Sequence, residues 1–124
     1  MKVLIVDDER DVEMLFRQKF RKEIKKGSLE LVFAFSGAEA LTILGDTNPP
    51  SVMYMFSDIN MPGMSGLELL SKVKDRFPKL KVSMISAYGD KENHDKAMNS
   101  GATGFFTKPI DFDTLKREIG ILLN

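Results

Sequence analysis

Three aspartates, a serine and a lysine in this chain each follow a short apolar run, and together they suit phosphoryl chemistry. Asp58 stands in Ser57-Asp58-Ile59-Asn60-Met61-Pro62-Gly63-Met64-Ser65-Gly66, directly after the apolar stretch 52–56 and ahead of a loop broken by Pro62, Gly63 and Gly66. Asp7 and Asp8 follow the run 2–6, Ser86 follows 81–85, and Lys108 follows 103–107. If these runs are strands of one parallel sheet, all five side chains stand at strand C-termini and meet on one edge. That edge is where open α/β sheets carry their ligand sites. A carboxylate there can accept a phosphoryl group as a mixed acyl phosphate, provided the repulsion between two anions is offset. Mg²⁺ is the natural agent, since it takes one or two carboxylates, several waters and phosphate oxygens. Asp7 and Asp8 beside Asp58 supply such ligands, one of the pair directly and the other through water, and the Asn60 carbonyl can complete the set. Lys108 would pair with phosphoryl oxygens as a point charge, while the Ser86 hydroxyl bonds one of them. Positioning and charge stabilisation supply most of the catalysis in phosphoryl transfer, so a small constellation is enough.

Each residue also has a plainer reading. An Asp-Asp pair after a strand can simply cap a helix N-terminus. Asp58 before a Pro-Gly turn can be a turn aspartate. Lys108-Pro109 can merely end a strand, because proline cannot continue a ladder. Their joint placement on four strand ends, in chain order, favours the chemical reading.

The elements that must position these residues alternate five times. Short strands are expected at 2–6, 29–35, 52–57, 81–85 and 103–107. Between them run helical stripes: Val12, Leu15, Phe16 and Phe20; then Leu67, Leu70, Val73 and Phe77; and finally Phe112, Leu115, Ile119 and Leu122. Ser36-Gly37-Ala38-Glu39 and Ser65-Gly66-Leu67-Glu68 carry a capping-box signature, the serine bonding the amide three residues on while the glutamate reaches back. The basic run 21–26 before Gly27 fits a helix C-terminus with a glycine cap better than a nucleic-acid patch. The segment from Asp90 to Ser100 offers only Ala97 and Met98 as an apolar face, which suggests a shallowly docked, movable helix. The clearest loop is Asn48-Pro49-Pro50-Ser51. Strict β-α alternation implies an α/β fold: a doubly wound, five-stranded parallel sheet with right-handed crossovers and helices on both faces.

Bulk properties narrow the function. At 124 residues the chain is expected to form one domain, 1–124. With 43% hydrophobic and 29% charged residues it reads as globular rather than disordered. Lys plus Arg and Asp plus Glu balance at 18 each, which gives no general drive toward nucleic acid. There is no cysteine, so thiolate metal sites and disulfides are excluded. No segment reaches membrane-spanning length and the N-terminal apolar run is too short for a signal peptide, so a cytoplasmic protein is expected. His94, the single histidine, lies on the polar fourth helical segment and reads as a surface residue.

Taken together, these motifs resemble the receiver domain of two-component response regulators, the chemotaxis-regulator-like family, over essentially the whole chain. Val6-Asp7-Asp8-Glu9 resembles the family's acidic pocket and Asp58-Ile59-Asn60-Met61-Pro62-Gly63 its phosphoacceptor loop. Ile85-Ser86-Ala87 is similar to the switch-hydroxyl motif, with serine for the commoner threonine, and Phe106-Thr107-Lys108-Pro109 to the lysine-proline motif. The resemblance implies a flavodoxin-like (βα)5 fold of strand order 2-1-3-4-5, and a Lys108–Pro109 cis peptide. It implies that Asp58 takes a phosphoryl group from a sensor histidine kinase or histidine phosphotransfer protein, with Mg²⁺ on Asp7, Asp8, Asp58 and the Asn60 carbonyl. Small acyl phosphates could also serve as donors. It further implies a switch coupling Ser86 to Phe105, where many relatives have tyrosine, that biases the face made by the fourth helix, fifth strand and last helix. Asn60 and Tyr88 occupy positions that tune phosphoryl lifetime. A downstream protein or output domain follows, and a phosphorylation-dependent homodimer is permitted by mixed charges on the last two helices. Such a module would be no enzyme beyond its own phosphorylation and dephosphorylation. Two other readings stand beside it. A phosphorylation-independent pseudo-receiver usually lacks an acid or the lysine, whereas this chain has them all. An aspartate-nucleophile phosphohydrolase would carry an Asp-x-Asp loop after its first strand, whereas Asp7 and Asp8 are adjacent.

Overall fold

A computed structural model describes residues 1–47 and 50–123 of the chain. Asn48 and Pro49 of the loop read from the sequence, and the Leu122 side chain, lie outside the described residues. Five strands form one sheet: β1 Lys2–Val6, β2 Glu30–Ala34, β3 Tyr54–Asp58, β4 Lys81–Ser86 and β5 Gly104–Thr107. All neighbours pair in parallel, in the order β2-β1-β3-β4-β5. The helices are α1 Asp11–Lys19, α2 Arg21–Lys26, α3 Gly37–Gly45, α4 Gly66–Arg76, α5 Lys91–Asn99 and α6 Phe112–Leu123.

Alternation along the strands sorts their apolar side chains into two cores. Val3 and Ile5 of β1 and Phe56 of β3 face one layer with Phe16, Phe20, Leu115 and Ile119, so α1 and α6 cover that side. Leu4, Val6 and Met55 face the other, with Ala40, Leu44, Leu70, Val73 and Ala97 of α3, α4 and α5. Burial on both faces is why the central strands read as nearly continuous apolar runs. The strand order reverses direction between β1 and β3, and a crevice opens at such a switch point beyond the strand C-termini.

The structure also corrects details. The first helical stripe does not form one helix: the backbone leaves helical geometry at Phe20 (φ −106°, ψ 17°), and α2 starts anew. Phe20 is fully buried there, stacked on Phe16 and edge-on to Phe112. Leu15, expected in the stripe, is instead exposed. Gly27 ends α2 in the left-handed region (φ 79°), a conformation that favours glycine. Ser36 and Ser65 accept from the N–H groups of Glu39 and Glu68, as the capping boxes require. Glu39, however, reaches back to the N–H of Phe35 rather than of Ser36. Docking of α5 is shallow: Ala97 is its buried residue, while Met98 is exposed.

Candidate functional site at the strand C-termini

The C-terminal ends of β1 and β3, on either side of the switch point, bring their acids together. Main-chain bonds fix Asp7 at the first: its N–H donates to the Ala34 carbonyl at 3.1 Å, and Glu9 N–H donates to Asp7 Oδ1 at 2.9 Å. This leaves Oδ2 facing Lys108, whose Nζ lies 3.3 Å away. The same Nζ lies 3.6 Å from Asp58 Oδ1. Asp7 and Asp58 are almost fully buried, at 6% and 5% exposure, and Asp8 is the most open of the three acids. One carboxylate oxygen from each of Asp7, Asp8 and Asp58 falls within 4.8 Å of the others.

This crowding has an electrostatic consequence. Burial, reinforced by the Asp7 charge and to a lesser degree by Asp8, pushes the Asp58 carboxyl up from 3.8 to about 6, against the opposing pull of Lys108. Burial disfavours the Lys108 charge, yet Asp7 and Asp58 outweigh it and hold its pKa above the ordinary lysine value. One ammonium against three carboxylates leaves the cluster short of positive charge. An all-oxygen donor set with two buried acids and a deficit of cations fits a hard divalent ion.

The loop after Asp58 is held by a close approach that the sequence reading missed. Gly66 N–H donates to the Ile59 carbonyl at 2.7 Å, and a Cβ on Gly66 would lie 1.9 Å from the Asp58 carbonyl oxygen. Glycine is needed so that the first turn of α4 can press against the Asp58 backbone. The sequence marked Gly66 as a loop breaker, a signal that gives no hint of which backbone comes near.

Ser86, fully buried, ends β4 beside Lys108, whose N–H donates to its carbonyl at 2.8 Å. Its hydroxyl oxygen accepts from Tyr88 N–H at 3.0 Å, tying it to the loop between β4 and α5. The Lys108–Pro109 peptide is cis. Asn60 and Tyr88 are exposed on the loops leading from Asp58 and Ser86. Phe105 is half-buried on β5 against the α3–α4–α5 core. His94 is half-exposed, and its ring stands edge-on to Phe105 with centroids 5.3 Å apart.

The family profile described as "Response regulator receiver domain" matches residues 3–120. The chain belongs to the response regulator receiver family. This receiver is 31% identical over 115 residues to sporulation initiation phosphotransferase F of Bacillus subtilis (strain 168), covering 93% of the chain and 87% of that protein. With response regulator protein FleR of Pseudomonas aeruginosa it shares 34% identity over 110 residues, 89% of this chain but 22% of FleR. The receiver therefore spans less than a third of several longer curated relatives it matches. Among solved structures it is similar to a receiver domain protein of Clostridium thermocellum, with a TM-score of 0.86 and 27% identity over 99% of this chain and 94% of that one. It is also similar to response regulator TrrA of Thermotoga maritima, solved in complex with Mg²⁺ and BeF, with a TM-score of 0.79 and 26% identity over 98% and 97% of the two chains. The domain is a signal-transduction module of two-component systems. Among the described residues no helix is long and apolar enough to cross a membrane.

Proposed function

We propose that residues 1–124 act as one receiver in which Asp58 accepts a phosphoryl group from a sensor histidine kinase or histidine phosphotransfer protein. The observation that carries this reading is the triad of acids within 4.8 Å, with Lys108 between Asp7 and Asp58 at the switch point of the sheet. A carboxylate oxygen of Asp58 attacks phosphorus and forms the new P–O bond. The donor's P–N bond, or the P–O bond of a small acyl phosphate, breaks and the donor departs with the electron pair. Asp7, Asp8, Asp58 and the Asn60 carbonyl would hold Mg²⁺, which when bound would supply the positive charge that lets two anions meet. Lys108, already poised between two carboxylates, exchanges part of that pairing for a phosphoryl oxygen.

The Ser86 hydroxyl then turns toward the phosphoryl group and gives up the Tyr88 N–H. Phe105 moves into the space it leaves, which biases the face formed by α5, β5 and α6 between two states read by a downstream protein, an output domain or a second copy. Tyr88 and Asn60 flank the acyl phosphate and set how readily water reaches it. On this reading the chain modifies itself and turns over no separate substrate. Incubation with acetyl phosphate and Mg²⁺ should load at most one phosphoryl group per chain, with no sustained release of phosphate from added p-nitrophenyl phosphate. Multiple turnovers of that monoester would instead place the chain among phosphohydrolases.

A further inference from the structure

We propose that His94 is a positioning residue that holds Phe105 in its resting orientation, so that its ring sets the balance of the switch; this rests on the reading of Phe105 as a switch residue given above. The contact is the observation that carries it. His94 and Phe105 stand edge to face at 5.3 Å with an interplanar angle of 68°, a geometry in which aromatic quadrupoles attract. Its setting gives the contact weight. Ala97 is the buried residue of α5, and His94 adds a second side-chain contact, from this helix to β5. The edge strand β5 pairs only with β4 and leaves Phe105 half-buried, so the ring is not locked by core packing alone.

Nearby groups hold this arrangement further. His94 Nδ1 lies 3.4 Å from Asp95 Oδ1, and α5 is anchored at its start by Asp90, which accepts from Asn93 N–H at 2.8 Å. The loop before α5 runs close along the end of β5, since a Cβ on Gly89 would sit 2.7 Å from Thr107 Cγ2. The segment bearing His94 thus starts close to the strand that carries Phe105, and α5 is seated in the core further along through Ala97. On this reading, inward rotation of Phe105 carries its ring off His94, so the contact belongs to one of the two states. Any interaction present only in the resting state shifts the equilibrium toward that state by its own strength. For a half-exposed aromatic pair that strength corresponds to about a threefold change in the ratio of the two states.

The test places 4-fluorophenylalanine at position 105 of the full chain and follows its fluorine NMR signal during titration with beryllofluoride and Mg²⁺, a phosphoryl mimic. Wild type, His94→Ala and His94→Phe are compared, with circular dichroism confirming the fold of each. The alanine variant should bind beryllofluoride about threefold more tightly, and the phenylalanine variant, which restores an aromatic partner, should return close to wild type. Unchanged affinity in His94→Ala, with a wild-type signal that still moves on binding, would overturn the role of His94 alone. A wild-type signal that stays put at saturation would overturn the switch role of Phe105, and the inference with it.

Discussion

Removing the charge of Asp58 should stabilise the metal-free protein. With its pKa raised from 3.8 to about 6, chiefly by burial and by Asp7, the ionised carboxylate is better accommodated in the unfolded chain than in the fold. The sign follows from proton binding: between these two values the folded state holds more protons, so stability falls as pH rises and the full penalty is present above about 6. Below 3.8 both states are protonated and the penalty vanishes. Linkage puts the cost at about 3 kcal/mol at pH 7.5 and about 1 kcal/mol at pH 4.5. Asp58→Asn removes the titration while keeping the shape, so urea denaturation in EDTA should find the variant about 2–3 kcal/mol more stable at pH 7.5. The gain should shrink to about 1 kcal/mol or less at pH 4.5, and millimolar Mg²⁺ should stabilise wild type more than the variant. A variant no more stable than wild type at pH 7.5, or equally favoured at both pH values, would refute the electrostatic reasoning.

Other perturbations test the surrounding structure. Gly66→Ala should cost about 3 kcal/mol by chemical denaturation, because the new methyl meets the Asp58 carbonyl at 1.9 Å and backbone cannot yield as a side chain does. Tyr54→Phe should cost about 1–3 kcal/mol in the same assay, since the buried Tyr54 hydroxyl bonds Ser83 and Glu118 and its loss strands the buried Ser83 oxygen. Tyr88→Ala should speed loss of the phosphoryl group by about threefold without preventing its attachment, about 0.7 kcal/mol in barrier; an unchanged decay rate, followed by intact mass over time, would remove Tyr88 from that role.

The parts of this molecule legible in its sequence are those set by local pattern. Apolar runs ending in Asp7, Asp58, Ser86 and Lys108 gave the strands within about two residues at each end, because buried parallel strands need side chains that are apolar on both faces. Ser36, Ser65 and Gly27 marked helix ends through bonds and backbone angles confined to a few neighbours. Features that depend on distant partners were not legible. Leu15 fits a helical stripe by spacing, but the turn at Phe20 and the packing of Phe16 and Phe112 leave it exposed. Met53 belongs to an apolar run yet precedes β3 and is more than half exposed. The Tyr54–Ser83–Glu118 network joins β3, β4 and α6, residues whose spacing carries no periodic signal. His94 read as a plain surface residue, since only the placement of α5 against β5 brings it to Phe105.

The most direct measurement is intact-mass spectrometry after incubation with acetyl phosphate, comparing wild type with Asp58→Asn, each with and without Mg²⁺. Wild type should carry one phosphoryl adduct that is absent in the variant and absent without the metal. An adduct that persists in Asp58→Asn, or that forms equally well without Mg²⁺, would contradict the assignment of Asp58 and its acidic neighbours as a metal-assisted phosphoryl acceptor.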